Sequence, residues 1–125
     1  MKSDSSSVET THARMPGNEG VVLLADLADR LLDTARAHAS QRAAETINSG
    51  VSMRATVIAL VEGAELAEHE SPPAATLQVI SGQARLNTAG EAWVLHDGEI
   101  VAIPPERHAL TAITDAVVLL TVALH

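Results

Sequence analysis

The chain has no cysteine, which excludes disulfides, thiolate metal centres and cysteine nucleophiles. It is almost without aromatic residues: Trp93 is the single Phe, Trp or Tyr among 125 residues. Any core must therefore be built from Val, Leu, Ile and Ala. Basic residues are scarce, with 8 Lys and Arg against 16 Asp and Glu and a formal net charge of −8. That balance offers no cationic face to neutralise phosphates and sets nucleic acid aside as a partner. No stretch reaches the roughly 20 apolar residues of a membrane span. The start Met1-Lys2-Ser3-Asp4 leads into serines rather than an apolar leader. A cytoplasmic protein with no membrane partner is the expectation. A Gly-Xaa-Ser-Xaa-Gly nucleophile turn and the glycine loops of phosphate-binding enzymes are missing as well, which sets those classes aside.

What is present suits one domain, since 125 residues with 46% hydrophobic content bury one sizeable core and two only with strain. Residues 1–20 mix Ser, Thr, Asp and Gly without hydrophobic period and read as a disordered tail. From Val21 to Ala39, Leu24, Leu27, Ala28, Leu31 and Ala35 recur at helical spacing, with Asp26, Asp29, Arg30, Asp33 and Arg36 on the other face. This predicts one amphipathic helix whose stripe docks on the rest of the chain or on a second subunit. A lead-in extended piece at 42–47 completes residues 21–50.

After Asn48-Ser49-Gly50 the pattern becomes short Val, Ile, Thr and Leu runs separated by turn residues, which predicts a compact antiparallel sheet or barrel over 51–125. Strands are expected at about 53–61, 74–80, 83–88, 91–96, 99–103, 107–113 and 116–123. Ser81-Gly82, Ala89-Gly90 and Asp97-Gly98 supply residues that tolerate hairpin angles, and Pro104-Pro105 ends a strand.

Residues 54–124 carry two spaced patterns. In the first, Gly63 is followed after five residues by His69, then by Ser71 two further on, Ala75 four beyond that, and Gly82 after six more. In the second, Gly98 precedes Pro104 by five intervening residues, and Glu106 and His108 follow. These resemble the two motifs of the small cupins, the conserved-barrel (cupin 2, RmlC-like) family. There the first motif reads glycine, His, His, Glu, glycine, and the second glycine, proline, glycine, His. Gly63, His69, Gly82, Gly98 and Pro104 fall in register. Ser71 stands at the second His, Ala75 at the Glu and Glu106 at the glycine, and His108 arrives one residue early. The chain is similar to small actinobacterial cupin-domain proteins without an assigned activity. The resemblance implies an all-β double-stranded β-helix, a jelly-roll barrel preceded here by one helix, and a homodimer.

A cupin of the usual kind holds zinc, iron, manganese or nickel with three imidazoles and a carboxylate, leaving positions open for substrate. Two of those four donors are replaced here, so no cofactor is expected, and His69 and His108 are the residual candidates for a divalent metal. The same two histidines, with Ser71, are candidates for holding a small molecule, or are inherited imidazoles hydrogen-bonded at the cavity mouth. Arg54 and Arg85 join the ligand-binding candidates because each lies in a predicted strand and would meet an anion if it faced the interior. His96 reads as a turn residue, His38 as a helix-end residue, and His12 and His125 lie near the termini. Glu62, Glu65, Glu68 and Glu70 read as a solvated rim, and Trp93 as a core or interface residue.

Three functions from different classes follow. The first is a binding module whose interior, lined by residues such as Leu77, Val79, Ile103 and Leu110, holds a small organic molecule. The second is a metal-dependent oxygenase or isomerase using His69 and His108. The third is a dimerisation unit, with the helix as one contact face.

Overall fold

A computed structural model describes residues 20–69 and 74–124, and the expected tail, together with Glu70, Ser71, His12 and His125, lies outside them. One helix, α1 (Leu24–Ala37), precedes nine strands: β1 (Arg42–Ser49), β2 (Met53–Leu60), β3 (Glu65–His69), β4 (Ala75–Ser81), β5 (Ala84–Asn87), β6 (Ala92–Leu95), β7 (Ile100–Ala102), β8 (His108–Ala112) and β9 (Ala116–Ala123). The helix begins three residues later than its periodicity suggests. Gly20 has a positive φ, and Leu23 at the N-cap contributes no capping side chain.

The strands form two antiparallel sheets, one of five strands in the order β1-β2-β9-β4-β7 and one of four in the order β3-β8-β5-β6. The pairings nest: β5 with β6, β4 with β7, β3 with β8 and β2 with β9. A doubled ribbon has thus been rolled into a two-layered jelly roll. Most of the residues expected to turn hairpins do something else. Only Ala89-Gly90 joins two neighbouring strands, whereas Ser81-Gly82 and Asp97-Gly98 are corners where the chain crosses from one sheet to the other. Gly82 shows why glycine is needed at such a corner. Its φ is +89°, and a Cβ there would collide with the carbonyl of Asp115, whose own corner packs against it.

Strand β3 was not among the runs read from the sequence, because Leu66 is the only large apolar residue in Glu-Leu-Ala-Glu-His. Its place is set by pairing with β8 instead.

Two clusters hold the fold. Between the sheets lie Ile58, Leu60, Leu77, Val79, Leu86, Leu95, Leu110 and Val118, with Trp93 half-buried against them. Outside the five-stranded sheet, Leu27, Ala28, Leu31 and Ala35 of α1 pack on Val57, Ala59 and Val117. The helix stripe is therefore covered by the chain's own sheet, and burying a leucine such as Leu27, 1% exposed, contributes about 2 kcal/mol. Among the described residues no helix is long and apolar enough to cross a membrane.

Candidate functional site at the open end of the barrel

The register decides which side chains face the interior. Ile58 and Leu60 of β2 belong to the core between the sheets, while Val57 and Ala59 lie under the helix. The β2–β9 pairing runs unbroken from Met53 to Leu60. Alternation therefore carries Thr56 and Arg54 onto the interior row. Thr56 also faces Thr46 of β1, with their hydroxyl oxygens 3.3 Å apart.

The two ends of the barrel follow from the turn at 113–115, which joins β8 to β9 and marks the floor. His108 lies four residues before Ala112, and Val122, the partner of Arg54, lies six residues after Ala116. His108 and Arg54 are thus both far from the floor, with Arg54 about one pleat, roughly 7 Å, nearer the mouth. Arg85 goes the other way. Its neighbours in sequence, Ala84 and Leu86, are buried, and Arg85 is exposed opposite the exposed Val94, on the solvent face of the four-stranded sheet.

His108 reaches the interior despite its shortened turn. At 3% exposure it is the one buried polar or charged residue among the described residues. Its Nδ1 lies 3.0 Å from the carbonyl oxygen of Glu106. A carbonyl only accepts, so Nδ1–H donates, and in the neutral ring Nε2 is the lone-pair nitrogen. The short turn thus both brings His108 inward and supplies the carbonyl that sets its tautomer.

His69 stands directly opposite His108 in the β3–β8 ladder. The register slips between Leu66 and His69, and this bulge lets two residues three apart, an odd interval, both take positions opposite the interior residues of β8. The ladder thus sets the backbone positions of the two motif histidines opposite one another.

His108, Ile58, Leu66, Leu77, Leu86, Ile103, Leu110 and Leu120 line a cavity of about 20 Å³, room for roughly one water-sized group. Its wall is apolar apart from the imidazole.

Among the described residues the donors do not fit a four-ligand metal site. Ala75, which the motif resemblance aligns with the carboxylate donor, is buried in the core and has no donor atom. Among the described residues no three His, Asp or Glu converge. Elsewhere, His96 is exposed at its turn, where its backbone N–H donates to the Glu99 carboxylate. His38 ends α1, and its Nδ1 accepts from the Ser40 N–H. Glu62 and Glu65 are exposed, and Glu65 accepts from Thr111.

One ion pair fastens the helix at the floor. Arg36 donates to Asp115 at 2.8 Å, and Asp115 also accepts from the backbone N–H of Glu62 at 2.8 Å. The Glu62 N–H first, and the Arg36 guanidinium second, hold the Asp115 carboxyl below its ordinary range.

Two sheets with nested strands, an apolar interior and a buried histidine at the end away from the 113–115 turn define a cupin-type jelly roll. Similar solved structures bear the fold out. A conserved protein of unknown function from Streptococcus pyogenes, SPY1581, is 28% identical over 69% of this chain and 76% of its own, with a TM-score of 0.63. A cupin superfamily protein from Desulfitobacterium hafniense is 12% identical over 70% of this chain and 82% of its own, with a TM-score of 0.65. The salicylate 1,2-dioxygenase of Pseudaminobacter salicylatoxidans is 19% identical over 77% of this chain but only 32% of its own, with a TM-score of 0.64. No protein-family model and no curated protein matches the sequence. The chain is a small cupin-fold protein, and the fold is shared by enzymes and by proteins of unknown function.

Proposed function

We propose that this protein is a binding module that takes a small molecule into the mouth of its barrel, between the interior leucines and the two histidines His69 and His108. The observation that carries the reading is His108, buried in an otherwise apolar wall. Such a group orients a ligand by one hydrogen bond while the leucines supply contact area. Metal catalysis is the weaker reading, because Ala75 leaves the carboxylate donor missing.

The test is a thermal-shift screen of small organic compounds against the whole chain, with metal analysis of protein purified without chelator. A ligand at a hundred times its dissociation constant adds about 2.7 kcal/mol of stability, a rise of several degrees in Tm. The rise is expected to vanish in His108→Leu. A screen in which no compound raises Tm overturns the proposal. So does about one equivalent of divalent metal that is lost in His69→Ala and His108→Ala, which would replace it with an oxygenase or isomerase.

A further inference from the structure

The interior row of β2 gives the site a second polar wall. Arg54 lies on it at the mouth, Thr56 follows one pleat deeper, and Thr46 stands beside Thr56 on β1. Strand β3 lies against this side of the barrel, since Arg42 of β1 donates to the Glu65 carbonyl at 3.1 Å. His108 of β8 belongs to the other, four-stranded sheet, which faces β2 across the interior. No carboxylate among the described residues pairs with Arg54, in a chain with twice as many acidic as basic residues. Arg85, also exposed, lies on the outer face of the four-stranded sheet and plays no part.

The chemistry runs from charged to apolar going inward. A guanidinium is outermost, a pair of hydroxyls and an imidazole come next, and leucines lie below. A guanidinium is the side chain best matched to a carboxylate, which it binds through paired N–H donors. A cavity of about 20 Å³ admits only a small apolar end. Resting on the binding reading above, we infer that the ligand is a short-chain carboxylic acid, its carboxylate held at the mouth by Arg54 and its alkyl end beneath His108 among Leu66, Leu110 and Leu120.

Butyrate and butyramide differ in charge and little in shape, so the pair separates this inference from the reading beneath it. Both are titrated into the whole chain, into Arg54→Gln and into Arg54→Lys, and followed by NMR shifts of the leucine methyls. Butyrate is expected to bind the parent about tenfold or more tightly than butyramide, the scale of one charge-assisted hydrogen bond. Arg54→Gln should abolish that preference and Arg54→Lys retain part of it. Equal binding of acid and amide, unchanged in Arg54→Gln, would overturn the acid assignment while the barrel remains a receptor. Binding of neither would overturn both.

Discussion

The two sheets of this barrel have similar interiors and opposite exteriors. The five-stranded sheet is buried on both faces at its centre, by the core on one side and by α1 on the other, so Val57 to Leu60 of β2 and Ala116 to Val118 of β9 are buried without interruption while its edge strands β1 and β7 are not. The four-stranded sheet meets water on its outer face, and β5 and β8 alternate buried with less buried residues. The same strand geometry thus serves as a support on one side and a plain wall on the other. The difference comes from a single 14-residue helix.

The sharpest way to break this comparison is to place a charge at equivalent outward positions. Val57→Asp buries a carboxylate between β2 and α1 and is expected to cost more than about 4 kcal/mol, read by denaturant unfolding. Val94→Asp on the outer face of the other sheet, where the valine is 46% exposed, is expected to stay within about 0.5 kcal/mol. Equal losses would mean that α1 does not cover its sheet in solution.

Between these extremes lies the ion pair that fastens the helix. Asp115→Asn weakens the bonds to Arg36 and the Glu62 N–H and should cost about 1 kcal/mol at low salt, less as salt screens the half-exposed pair. The sign with pH follows from the depressed carboxyl. Its contribution is complete above the ordinary value of 3.8 and is lost as pH falls below it through the lower folded value. The variant should therefore lose less stability than the parent between pH 4 and pH 2, a comparison made by thermal unfolding across that range.

The two sheets also explain what was legible in the sequence. Glycine and proline punctuation with short apolar runs was enough for a compact antiparallel sheet or barrel, the resemblance to the cupin motifs made it a jelly roll, and eight of the nine strands follow the reading. The interior row of β2 was not legible. Its residues Met-Arg-Ala-Thr-Val-Ile-Ala-Leu are buried on both faces beyond Thr56, so no alternation distinguishes inside from outside. The inward position of Arg54 thus depends on knowing which of Val57 and Ile58 the helix covers. Arg85 sits in a strand with one wet face, where alternation with Ala84 and Leu86 did carry the signal. The position of His69 depends on a bulge, which pairing reveals and residue spacing does not.

The near-absence of aromatic residues has an optical consequence. Trp93 is the only indole in the chain, and it stands directly opposite Leu86, one of the cavity-lining residues. Near-ultraviolet emission therefore comes from one place, a single side chain's width from the space a ligand would enter. A molecule that displaces Leu86 changes the surroundings of that ring, and the colour of the emitted light registers the event without any attached label.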